Sequence, residues 1–165
     1  MRSKLTAGIV AGLLGGLVFG MMMQIMKTPD GEMPMMGMVA MVVGSKSLAV
    51  GWLYHLFNSA VIGVLFGWLL GGRIHGYGSG LGWGALYGIF WWVLGGLVLM
   101  PLLLGMPVFA PLTMAGTMPV AMGSLMGHLI FGLILGAAFV WLYRTLAGRS
   151  ETRVPEQGEG VARRA

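Results

Sequence analysis

The sequence predicts an all-α membrane protein with four transmembrane helices, arranged as two tandem helical-hairpin repeats in parallel orientation. Each repeat also carries a short interfacial helix that begins Met-Pro. Three observations predict this. Of 165 residues, 57% are hydrophobic and only 9% charged, where soluble domains carry about 25% charge. Residues 74–143 contain no Asp, Glu, Lys or Arg, a stretch that a soluble core of this size does not tolerate. Finally, the apolar run 48–71, which holds His55, recurs as 121–144 with His128 at the matching place. Each run has the length needed to cross a hydrocarbon layer of about 30 Å at 1.5 Å per residue.

Met1–Lys4 is a short basic start, and the uncharged run 5–26 that follows exceeds the 7–15 apolar residues of a signal peptide and has no small-residue cleavage site after it. It therefore reads as the first membrane helix. Its glycines at 8, 12, 16 and 20 form a GxxxG ladder on one face, which lets a neighbouring backbone approach closely. Residues 27–47 open with a polar turn and continue with an apolar stretch too short to span; its counterpart is 106–117. Both begin Met-Pro, and proline suits a helix start because its missing N–H would be unpaired there anyway. After the second span at 48–71, the glycine-rich turn 71–80 carries Arg73 and His75. The third span is expected over 81–104, with glycines at 80, 84, 88 and 96, and Trp83, Trp91 and Trp92 supply aromatic bulk and interface anchors. The fourth runs from about 120 to 145.

The chain thus reads as one four-helix domain over 1–147, with repeats at 5–72 and 79–146, followed by a polar, aperiodic cytoplasmic tail over 148–165 that is expected to be disordered. Aligning 33–70 on 106–143 gives nine identities in 38 positions, against roughly a tenth by chance in so biased a composition. For the first and third helices, GGLV at 15–18 and at 95–98 is the best anchor. Placing both termini in the cytoplasm puts Arg2, Lys4, Arg73, Arg144, Arg149, Arg153, Arg163 and Arg164 inside and leaves Lys27 and Lys46 outside, as the positive-inside rule favours. Two such hairpins share one orientation, related by an axis along the membrane normal. His55 and His128 then lie at one depth, about 10 Å below the outer surface at 1.5 Å per residue.

A histidine inside a spanning helix is a functional candidate by default. Two at one depth suggest axial imidazoles meeting a haem b iron from opposite sides, with Gly63, Gly132 and Gly136 clearing the face beneath them for the porphyrin. The plainer reading bonds each imidazole to a backbone carbonyl or to Ser59, Asn58 or Ser124 across a tight helix contact. A second candidate is sulfur: Met114, Met118, Met122 and Met126 repeat every four residues towards His128, and thioethers prefer soft Cu(I), though methionine is also the usual filler of irregular apolar packing. The spans hold no carboxylate or lysine for proton relay. There is no Ser/His/Asp set or carboxylate pair, so no enzyme is expected. The absence of cysteine excludes disulfides and thiolate chemistry, and the basic residues form no stripe that would suit nucleic acid.

The G-W-x-x-H-x-F pattern at Gly51, Trp52, His55 and Phe57, followed by a glycine-rich helix that ends in an aromatic residue, resembles small bacterial and archaeal four-span proteins of domain-of-unknown-function type, including YagU-like inner-membrane proteins. The second repeat departs from the pattern, with Ser124 and Leu125 where Gly51 and Trp52 stand. The resemblance implies a prokaryotic inner-membrane location and carries no activity with it. The sequence therefore predicts a protein that acts by binding, an accessory or assembly subunit holding a cofactor such as haem between His55 and His128. The alternative is a passive transporter or channel for copper or a small solute. The expected partners are the lipid bilayer and either further copies of the chain or a larger membrane complex.

Overall fold

The computed structural model describes residues 2–151. All regular structure in that range is helical: α1 (Arg2–Ile25), α2 (Met35–Met41), α3 (Leu48–Leu69), α4 (Tyr77–Trp91), a π-helical segment (Trp92–Leu99), α5 (Met100–Leu103), α6 (Ala110–Thr113) and α7 (Met118–Glu151). Among the described residues, four helices are long and apolar enough to cross a membrane: Ser3–Ile25, Leu48–Leu69, Tyr77–Leu103 and Met118–Leu146. The expected tail begins at 148, but α7 continues through Glu151; the rest of that expectation lies outside the described residues.

The glycine ladders determine the packing. α1 runs antiparallel to α3, with Gly8 against the Gly63 backbone, Gly12 against the Ser59 and Gly63 backbone, and Gly16 against the Ser59 side chain. α4 meets α7 in the same manner, Gly80 lying on Gly136, Gly84 on Gly132 and Gly88 on the His128 carbonyl. At Gly8, Gly12, Gly84 and Gly88 a Cβ would run into a carbonyl oxygen of the facing helix, so the backbones touch there with no side chain between them. α1 also packs on α7, where Phe19 sits over Gly127, and Met26, just past the end of α1, sits over Gly123. The main packings thus run in the order α3, α1, α7, α4, and buried Phe66, Phe139, Leu135 and Phe131 fill the space around the central pair. The two GGLV strings do not occupy equivalent places. Gly15 and Gly16 face Phe131 and Ser59, whereas Gly95 and Gly96 lie in the π segment.

One end of the bundle gathers cations. Lys4 lies over the Tyr143 ring at 5.7 Å, Arg144 over the Tyr77 ring at 5.5 Å, and Arg73 donates to the Leu69 carbonyl at 2.8 Å. At the other end the 26–35 turn closes on itself. Met35 N–H donates to the Met26 carbonyl at 2.9 Å, and the buried Thr28 hydroxyl bonds the Asp30 carboxylate and accepts the Met33 N–H at 3.2 Å. The Thr28 hydroxyl, followed by the Glu32 N–H, holds the Asp30 carboxyl below its ordinary pKa.

The third span is not one regular helix. Pro101 has no N–H for the Leu97 carbonyl, and its ring crowds that carbonyl. The chain widens to a π-helix over Trp92–Leu99 just before it, and the Phe109 N–H, turned inward by a left-handed φ of 61°, donates to Leu97 O at 2.8 Å. This also revises the second Met-Pro segment. Its helix starts at Ala110, with Pro111 in the first turn, and Pro107 lies ahead of it in a loop. In the first such segment, Pro34 does stand at the start of α2.

Candidate functional site

A cavity of about 280 Å³ opens among the upper halves of the spans, near the lower limit of small-ligand pockets, which hold about 300–1,000 Å³. α1 contributes Phe19 and Met23; α2 contributes Met35 and Val39; α3 contributes Tyr54, His55, Asn58, Val61 and Ile62. The opposite wall is Trp91, the π segment with Gly95 and Gly96, Met100 and Leu103, together with Val120, Ser124 and His128 of α7. The π segment builds this wall because Gly95 and Gly96 bring no side chains into the space. Below the cavity, the groove between α3 and α4 is closed by the Tyr87 hydroxyl, which donates to the Ile62 carbonyl at 2.9 Å, and by the Phe66 ring 5.2 Å from that of Tyr87.

Both histidines reach this one cavity. The His55 Nε2 lies 2.8 Å from the Gly16 carbonyl on α1, and His128 Nδ1 lies 2.8 Å from the Ser124 carbonyl on its own helix. A carbonyl oxygen only accepts, so in each ring the nitrogen facing it must carry the proton. The two neutral imidazoles are therefore opposite tautomers: His55 is protonated on Nε2 and leaves Nδ1 bare, while His128 is protonated on Nδ1 and leaves Nε2 bare. Phe19 packs edge-on against both, with ring centroids 5.8 Å from His55 and 4.7 Å from His128. Trp52, whose Nε1 donates to Gln24 at 3.1 Å, packs edge-on against His55 from the other side. No carboxylate lines the cavity.

Of the partners the sequence offers, a backbone carbonyl serves each imidazole. Ser59 instead donates to the His55 carbonyl at 2.8 Å, Ser124 Oγ stands 3.4 Å from His128 Nδ1, and Asn58 makes no hydrogen bond among the described residues. Gly63, Gly132 and Gly136 do not clear a face for a porphyrin; the Gly8, Gly84 and Gly80 backbones fill the space in front of them. The methionine ladder is not brought to the cavity either. Met114, Met118, Met122 and Met126 are 49–57% exposed on the outside of the bundle, and the cavity's sulfur comes from Met23, Met26, Met35 and Met100. Among the described residues no group of three or more His, Asp or Glu could hold a metal ion. The indole N–H groups of Trp91 and Trp92 are enclosed without a hydrogen-bond partner among the described residues, and Trp91 walls the cavity.

Sequence reasoning missed Tyr54 and the π segment, and it offered Asn58 only as a partner for an imidazole. The signals were present in Tyr54 and Asn58 at helical i, i+4 spacing beside His55, and in Pro101 following Gly95-Gly96.

The His55 bond ties α1 to α3, beside the Trp52–Gln24 bond between the same two helices. Replacing His55 by Leu is expected to lower stability by about 0.6–1.7 kcal/mol, the range of interhelical hydrogen bonds in membranes, and His128→Leu by less, because its bond lies within one helix. Unfolding in detergent by a chemical denaturant reads both, and equal losses would show that the Gly16 bond contributes nothing. No family model, curated protein or solved structure matches the chain.

Proposed function

We infer that this is an integral membrane protein that acts by binding, and that its ligand occupies the cavity between His55 and His128. The observation that supports this is an apolar intramembrane cavity lined by polar groups without partners: the bare nitrogens of two imidazoles, the Asn58 amide and the Tyr54 hydroxyl. A polar group left unpaired in hydrocarbon is costly, and a ligand that satisfies these groups offsets that cost. The hydroxyl–imidazole pair at the cavity, Ser124 and His128, has its facing ring nitrogen committed to the Ser124 carbonyl, and binding, as in an accessory or assembly subunit, is the role the lining supports. Mass spectrometry of the protein released gently from detergent tests this: a small molecule retained one per chain is expected, and a bare polypeptide from every mild detergent would count against it.

Haem b is the second reading, supported by the bare Nε2 of His128, the nitrogen that haem iron takes. His55 does not match it, since its Nε2 donates to Gly16. A Soret band in the purified protein would select haem; a colourless protein with a bound ligand would select the first reading.

The two hairpins read as a duplication. His55, Ser59 and Gly63 face Gly16, Gly12 and Gly8 much as His128, Gly132 and Gly136 face Gly88, Gly84 and Gly80. Lys4, Arg73 and Arg144 gather at one end, which supports a cytoplasmic position for that end in a prokaryotic inner membrane. A reporter active only in the cytoplasm is expected to work when fused near Arg73 and to fail near Asp30; the reverse pattern would invert the protein.

A further inference from the structure

We propose that the cavity takes a neutral aromatic head with hydroxyls at opposite ends, a quinol, one hydroxyl bonding on the α3 wall and the other on the α7 wall. This rests on reading the cavity as a ligand site and adds the chemical class of the ligand. The α3 wall presents the bare Nδ1 of His55, an acceptor, beside Tyr54 and Asn58, whose hydroxyl and amide have no hydrogen-bond partner among the described residues. The α7 wall presents the bare Nε2 of His128, also an acceptor, beside the Ser124 hydroxyl. Neither imidazole can donate into the cavity, because each has committed its proton to a carbonyl. The occupant must therefore bring a donor to each wall. A hydroxyl does this and still accepts from Asn58, Tyr54 or Ser124. A quinone's carbonyls can accept from Asn58, Tyr54 or Ser124, but they leave both imidazole acceptors without a donor.

The body of the ligand follows from the rest of the lining. Phe19 and Trp91 supply aromatic lining for a ring to pack on, and no charged side chain in the lining could hold a charged head. Val61, Leu99 and Leu103 line the cavity and are also exposed on the outside of the bundle, so it opens sideways, where a hydrocarbon tail can leave into lipid.

The test uses the full chain in nanodiscs and three probes with the same tail, a decyl-substituted 1,4-benzoquinol kept reduced, its quinone and 4-decylphenol, read by tryptophan fluorescence and thermal shift. The quinol should bind at least tenfold tighter than the quinone or the monophenol, one hydrogen bond to a desolvated acceptor being equivalent to roughly that factor. His128→Leu should erase the preference of quinol over phenol while leaving phenol binding in place. Equal binding of all three probes, with no change in His128→Leu, would overturn two-ended recognition and leave the cavity reading intact. If none of the three binds, and a bulky residue at Gly95 changes nothing that the protein retains, the cavity reading itself falls.

Discussion

Gly63→Ala and Gly132→Ala are each expected to break the native packing, although they add only a methyl group. At Gly63 the new Cβ would collide with the Gly8 carbonyl, and at Gly132 with the Gly84 carbonyl. Backbone cannot rotate away as a side chain can, so the helices must separate along the whole ladder and lose the van der Waals contact that holds them together in lipid. Overpacking of this kind costs about 1–3 kcal/mol and sometimes more. Gly82 makes the control, since a Cβ there meets nothing within 4 Å; Gly82→Ala should leave stability unchanged or raise it by up to about 1 kcal/mol through helix propensity. Thermal unfolding in detergent separates the outcomes. If Gly63→Ala melts like the parent, α1 and α3 do not meet through this face.

Gly95→Leu is expected to empty the cavity of its ligand without unfolding the chain. A Cβ at Gly95 meets only Trp91 Cε3, at 3.8 Å, an ordinary contact, and the residue lines the cavity. A leucine there would grow into the space that the ligand uses. The small molecule retained by the parent in mass spectrometry should be absent from this variant, while its melting without ligand stays close to that of the parent. Full retention of the ligand in Gly95→Leu would place the ligand elsewhere.

The spans and their histidines were legible because hydropathy and the four-residue glycine spacing are local properties of the chain. The tyrosine and amide beside His55 share its helix face, yet nothing local marks which face meets a cavity. The methionines at 114, 118, 122 and 126 illustrate the same gap. Their spacing puts them on one face, but that face turns outward because the glycines and small residues of α7 occupy the inward ones. The glycines below each histidine suggest space for a ligand in the sequence, whereas a glycine in a membrane helix more often makes room for another helix. The π segment depends on Pro101 acting together with Phe109, eight residues further on, a link visible only once the chain is folded.

The claim that both histidines turn one bare nitrogen to a shared cavity is tested most directly by the ring-nitrogen NMR of the protein labelled with ¹⁵N-histidine in nanodiscs near neutral pH. The account predicts one Nε2-protonated ring at His55 and one Nδ1-protonated ring at His128, assigned by comparison with the His55→Leu and His128→Leu variants. Two rings of the same tautomer, or a doubly protonated imidazolium at either position, would contradict it.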